Sequence, residues 1–135
     1  MGLKISSQLE ERLKTEKIAW LTTVRGDRVA QPTPVWFLWQ QGEFLIYSKP
    51  LARKIGNIQS NPKVAINLNS DEWGGSIAVF AGEATIDFEA VPAHQVPAYL
   101  EKYREGIADI GMTPEEMAKE YSAGIHVQPR WVREE

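Results

Sequence analysis

The stretch with the most chemical potential is Ile46-Tyr47-Ser48-Lys49-Pro50-Leu51-Ala52-Arg53-Lys54. An apolar strand-like run ends in a hydroxyl. The chain then turns into a helix start that carries three cations. A helix N-terminus presents free N–H groups and partial positive charge, which together favour an anion. Lys49, Arg53 and Lys54 would add full charges, and Ser48 a hydroxyl donor. A phosphate is a natural guest, because arginine can hold it with two parallel hydrogen bonds. The same pattern also describes a solvated basic helix face beside a turn, so the residues alone leave both readings open.

A second stretch is Gln31-Pro32-Thr33-Pro34-Val35-Trp36-Phe37-Leu38-Trp39. Strand alternation sends Trp36 and Leu38 to one face, and Val35, Phe37 and Trp39 to the other. A strand apolar on both faces is buried twice or lies in an interface. Core packing is the favoured reading for Phe37 and Leu38. Pro32 and Pro34 each remove a ladder N–H, so this half is expected at an edge or a bulge. Unpaired backbone groups there could read the rim of a planar ring while an aromatic side chain packs on its face.

Other chemistries find no support. His94 and His126 lie in different elements, without carboxylates at ligand spacing, so no metal site is expected. No serine sits in a G-x-S-x-G elbow. Gly74-Gly75 precedes a strand rather than a helix, unlike a dinucleotide turn. Asp71, Glu72, Asp87 and Glu89 read as a solvated acidic rim. What remains is a phosphate cradle beside aromatic strands, without nucleophile or acid–base pair. Such a site suits an organic cofactor that carries its own reactivity.

These residues must be positioned by strands and short helices. Ser7-Gln8-Leu9-Glu10 fits a capping box with Ser7 as N-cap, opening a helix over about residues 7–16. Strands are expected at Ile18–Val24, Val29–Trp39 and Glu43–Ser48, the first two joined by a turn at Gly26-Asp27. Pro50 suits the first turn of a helix whose apolar stripe is Leu51, Ile55 and Ile58, and Asn61-Pro62 ends it. Lys63–Asn69 and Ile77–Phe88 follow as strands, with Gly82 marking a bulge or a close backbone approach. Pro92–Glu105 reads as a helix. Thr113-Pro114-Glu115-Glu116 is a second capping box, opening a helix to about Ala123. Ile125–Val132 is a sixth strand. The expected fold is mainly β with α: a six-stranded, mostly antiparallel barrel with short helices at the connections.

The whole chain sets outer bounds. Its 135 residues and formal charge of -3 fit one domain spanning residues 1–135. With no cysteine, disulfides, thiolate metal sites and a cysteine nucleophile are excluded. The apolar run Val35–Trp39 is far short of the roughly 20 residues a membrane helix needs. The start, MGLKISSQLEER, has no signal-peptide apolar region, so a cytoplasmic location is expected. Mild acidity argues against a nucleic-acid partner.

The segments Ile46–Lys54 and Asn57–Ala65 resemble the pyridoxamine 5′-phosphate oxidase-like superfamily of split β-barrels, which bind flavin mononucleotide (FMN) or the deazaflavin F420. The shared pattern is an aromatic-hydroxyl pair ending a strand (Tyr47-Ser48), an Arg-Lys pair opening a helix (Arg53-Lys54), then Asn61-Pro62-Lys63-Val64-Ala65. Ala19–Val24, Val35–Trp39, Val96–Tyr103, Gly111–Glu116, Tyr121-Ser122 and Pro129–Trp131 are similar to the small F420-dependent branch. The resemblance covers about residues 8–132.

It implies an F420-dependent oxidoreductase that transfers a hydride between F420 and a conjugated small-molecule acceptor. The alternatives are an FMN-dependent oxidoreductase of the same family, or a non-catalytic FMN-binding stress-response module. It implies that Tyr47 and Ser48 hold the cofactor near its phosphate, which Lys49, Arg53 and Lys54 bind. Pro32, Thr33, Pro34, Val35, Trp36 and Phe37 would line the ring. A homodimer with the cofactor cleft between subunits is also implied, and the two-sided Val35–Trp39 run fits that interface. The chain departs from the true oxidases at Pro32 and Phe37, where they carry an Arg–Lys pair, and at Ile77, where they carry Gln. These departures speak against oxidation of pyridoxamine phosphate and leave the choice of flavin open.

Overall fold

The stretch expected as one strand over Val29–Trp39 is two strands. In the computed structural model, which describes residues 3–135, β1 (Ala19–Val24) pairs with β2 (Ala30–Val35). The chain leaves the ladder at Trp36-Phe37. It re-enters as β3 (Leu38–Gln40) beside β4 (Glu43–Ser48). The cause is the backbone of Phe37. Its N–H donates to the Tyr103 hydroxyl at 2.8 Å, and its carbonyl accepts from Lys102 Nζ at 2.8 Å. With both groups taken by side chains, Phe37 has nothing left for a ladder.

The sheet therefore has seven strands rather than the expected six. With β5 (Lys63–Leu68), β6 (Ala78–Asp87) and β7 (Ala123–Glu134), its order is β2-β1-β5-β6-β7-β4-β3. Every neighbouring pair is antiparallel. β2 and β3 end the sheet on opposite sides, so it forms a half-barrel. Gly82 sits where expected: the β6–β7 register shifts between Ala81 and Gly82. A Cβ at Gly82 would lie 2.1 Å from the carbonyl oxygen of Gln128.

Helices fill the connections. In α1 (Ser7–Thr15) the N-cap is Ser6, not Ser7. Ser6 Oγ accepts from the Leu9 N–H at 3.0 Å. The Ser6 N–H and hydroxyl donate to the carboxylate of Glu134, at 2.8 and 2.5 Å. A residue at the far end of the sheet thus does what Glu10 was expected to do in a capping box. In α2 (Arg53–Ser60) the helix begins after Pro50. Lys49–Ala52 form a turn closed by the Ala52 N–H on the Lys49 carbonyl, 3.1 Å. Leu51 is 98% exposed, so the buried stripe is Ile55 and Ile58 alone.

The segment expected as a helix over Pro92–Glu105 is a 3-10 turn at Ala93–Gln95 followed by α3 (Pro97–Asp109), with Pro97 in the first turn. α4 (Pro114–Glu120) opens on the expected capping box. The Glu116 N–H donates to Thr113 Oγ1 at 3.1 Å, and the Thr113 N–H to Glu116 Oε1 at 2.9 Å. It ends before Ala123, which begins β7. No helix among the described residues is long and apolar enough to cross a membrane.

Two cores hold these elements. Phe37, Phe44, Ile46, Ile66, Phe80 and Ile125 fill the barrel interior, closed by Leu9 and Leu13 of α1 and by Ile55 and Ile58 of α2. A second core on the outer face of β4 joins Leu38, Leu45 and Tyr47 to Tyr99, Tyr103 and Ile107 of α3 and Met117 of α4. Val35, Phe37 and Trp39 face the first core, Trp36 and Leu38 the second. The two-sided apolar run is thus covered within one chain, and does not need a subunit interface to bury it.

Candidate functional site

β1, β2 and α2 meet where the basic residues lie, and two cavities adjoin there. The first, of about 370 Å³, runs from β2 to α3 and α4. Pro34, Val35 and Trp36 form one wall, Tyr47 and Tyr99 another, and Met117 and Tyr121 of the α4 region a third. The second, of about 210 Å³, is lined mainly by residues with polar or charged side chains: Thr23, Gln31, Thr33, Arg53, Lys54 and Asn57, together with Pro32. Lys54 borders both cavities. A flat apolar group in the first and an anionic group in the second would be joined past Lys54.

The polar cavity is assembled by spacing. Arg53 and Asn57 are four residues apart on α2, so they share a helix face. Thr23 and Gln31 are directly opposed in the β1–β2 register. Burial alone holds the Lys54 ammonium below the usual lysine range. Neither Arg53 nor Lys54 pairs with a carboxylate among the described residues. Two cations beside a cavity without an anionic partner suit an anionic ligand.

The aromatic cavity owes its shape to α3. Trp36 lies flat on Tyr103, ring centroids 4.6 Å apart and planes 5° from parallel. Gly106, one turn further, leaves room for the indole: a Cβ there would be 3.3 Å from it. The Tyr103 hydroxyl donates to the Lys17 carbonyl at 2.7 Å, which locks the ring. Burial pushes the Tyr103 phenol well above the usual tyrosine range. Tyr47 stands edge-on to Tyr99 at 5.1 Å and donates its hydroxyl to the Val91 carbonyl at 2.6 Å. Burial, with Asp87 nearby, raises its pKa too.

Not every residue singled out in the sequence converges on these cavities. Pro34, Val35, Trp36, Tyr47 and Lys54 line the aromatic one, and Pro32, Thr33, Arg53 and Lys54 the polar one. Ser48 is 1% exposed and donates its hydroxyl to the Lys49 carbonyl at 2.9 Å. Lys49 turns toward α4. Its Nζ lies 3.0 Å from Glu120 Oε1 and 5.5 Å from the Tyr121 ring centre, and the Glu120 contact raises its pKa. The Phe37 ring is in the barrel core. Thr23, Gln31, Asn57, Tyr99, Met117 and Tyr121 were not singled out as site residues. Gln31 stands at the head of the second stretch without an assigned role, and Asn57 is readable from its i, i+4 relation to Arg53.

Comparison with known proteins bears on the fold and the family. No curated protein matches the chain. A family model described as Pyridoxamine 5′-phosphate oxidase matches residues 5–135. Among solved structures, a conserved hypothetical protein of Mycobacterium tuberculosis superposes with a TM-score of 0.76 at 19% identity, over 97% of this chain and 84% of that one. An F420 reductase gives 0.73 at 22% identity, over 97% and 100%. HutZ, the haem storage protein of Vibrio cholerae, gives 0.67 at 16%, over 98% and 95%. At these identities the likeness is one of fold. The family match spans nearly the whole chain, and the chain belongs to the pyridoxamine 5′-phosphate oxidase family.

Proposed function

We propose that this protein is an F420-dependent oxidoreductase acting on a conjugated small-molecule acceptor. The observation that carries the reading is the pair of cavities sharing Lys54, one aromatic and one cationic, with no cysteine, serine or histidine lining either. The family match and the F420 reductase among the structural neighbours support it. The residues fit a flavin-type group. Trp36, Tyr47 and Tyr99 offer flat apolar walls to a ring system, with Pro32–Val35 along its rim. Arg53 and Lys54 offer charge to a phosphate. Hydride transfer is the chemistry that the bound deazaflavin supplies. The protein binds and orients, and keeps water from the ring with its apolar walls. Lys49 would join the anion contacts only by leaving Glu120. In this reading two copies form a homodimer, each lending a wall to the other's cleft, and work in the cytoplasm.

An FMN-dependent oxidoreductase, or a non-catalytic FMN-binding stress-response module, is the alternative, because a donor-lined phosphate cavity serves either flavin. Haem is less well matched, since no histidine lines either cavity. Titration of the purified protein with F420 and with FMN tests the reading. Micromolar or tighter binding of F420 is expected, with turnover on a panel of quinones and enones. Binding of FMN alone overturns the deazaflavin assignment. Bound F420 that never turns over overturns the enzymatic one. The variant Arg53→Ala/Lys54→Ala should weaken either cofactor at least tenfold, since each charged hydrogen bond contributes about 1.5–3 kcal/mol.

A further inference from the structure

The polar cavity holds residues that could either donate or accept, and one side chain decides which. Asn57 Nδ2 donates to Thr23 Oγ1 at 3.0 Å and to Gln31 Oε1 at 3.0 Å. Each acceptor oxygen thereby has one lone pair engaged, and the Gln31 oxygen is held toward Asn57. Gln31 keeps its NH₂ to give. Thr23 is 1% exposed, so it serves as a buried anchor for the Asn57 amide rather than as a ligand contact. The other polar groups at the cavity are the Thr33 hydroxyl, the Arg53 guanidinium and the Lys54 ammonium, and no carboxylate lines it. A free glutamine amide can present its oxygen or its nitrogen to a ligand. Facing an anion, the oxygen repels and the NH₂ binds.

We propose that Asn57 is a positioning residue that sets the polarity of this cavity, holding the Gln31 amide with its NH₂ as a donor toward the anionic group of the ligand. The proposal rests on the reading of Arg53 and Lys54 as a phosphate cradle, and goes beyond it. Charge alone attracts an anion. The oriented neutral donor discriminates a bound phosphate from a diffuse cloud of counter-ions, because it needs an acceptor oxygen at one place.

The test uses inorganic phosphate and FMN as probes, titrated across a range of salt. Asn57→Ala and Gln31→Leu should each raise the phosphate dissociation constant about tenfold, the effect of losing one hydrogen bond to a charged group. The double variant should lose little more, because both substitutions remove the same oriented donor. The salt dependence of binding should match that of the unaltered protein, since both cations stay in place. Arg53→Ala/Lys54→Ala should instead flatten it. Wild-type affinity in Asn57→Ala overturns the proposal. So does a flattened salt dependence in that variant, which would mean that Asn57 merely keeps α2 in place. Undiminished phosphate binding by Arg53→Ala/Lys54→Ala overturns the cradle itself, and is told apart by that variant alone.

Discussion

Phe37 shows how much one backbone unit can settle. Its N–H and carbonyl are claimed by Tyr103 and Lys102 of α3, so the sheet breaks there and Trp36 is thrown toward the aromatic cavity. Removing the Tyr103 hydroxyl would leave the Phe37 N–H buried and unpaired. Tyr103→Phe should therefore lower stability by about 1–3 kcal/mol in urea unfolding. The ring itself is kept, so the stack under Trp36 and the affinity for a cofactor should change little. None of this is visible along the chain. Periodicity places Trp36 and Phe37 on opposite faces correctly, but nothing local says that a lysine and a tyrosine some 65 residues on will take the backbone of Phe37 out of the ladder. The Ser6 cap has the same character. Its partner Glu134 lies 128 positions away, while the nearby Glu10 offers a local pattern that the fold does not use.

At the scale of elements, legibility follows locality. The α4 capping box closes within four residues, so it could be read from Thr113 and Glu116 alone. The α2 stripe was readable at Ile55 and Ile58, but Leu51 sits in a turn that only the three-dimensional path of Lys49–Ala52 reveals. Gly82 was readable as a special position because a glycine inside a long β-branched strand needs a reason. The structure supplies it: β7 passes so close that a methyl group would overlap the Gln128 carbonyl. The backbone must shift to admit a side chain there, and β6–β7 is the longest pairing in the sheet. Gly82→Ala should cost more than about 2 kcal/mol by denaturant titration, at the upper end of ordinary substitutions. The site was legible to the extent that one segment carries it. Arg53 and Lys54 reach the polar cavity, whereas Lys49, two residues beyond Tyr47, turns to Glu120 on another helix.

At the scale of the whole molecule, a buried cation away from the site governs much of the pH dependence of stability. Lys102 is drawn in among α1, α3 and the β2–β3 connection. Its Nζ lies 2.8 Å from the Phe37 carbonyl and 3.6 Å from the centre of the Phe37 ring. Burial, with Lys17 nearby, lowers its pKa to about 8 from the usual 10.5. Between those values the unfolded chain binds a proton that the folded chain does not. Stability should therefore rise with pH from about 8 toward 10. Above 10 the sign reverses, because Tyr99 and Tyr103 stay protonated when folded and ionise when unfolded. Urea unfolding across this range should show a maximum near pH 10, and Lys102→Met should shrink the rising limb, to which the buried Lys54 also contributes, while keeping the fall.

β2 forms one free margin of the half-barrel, and it carries Pro32 and Pro34. An antiparallel strand offers donors outward from every second residue, and two prolines at that spacing can lie on the open side without breaking the pairing with β1. At the other margin, β3 is three residues long. Open strands invite fibril-like growth by strand addition, and short or proline-bearing margins deny it a template. The same prolines that frame the cavity rim thus also act as gatekeepers of colloidal behaviour. Growth of the sheet through either margin is thereby disfavoured.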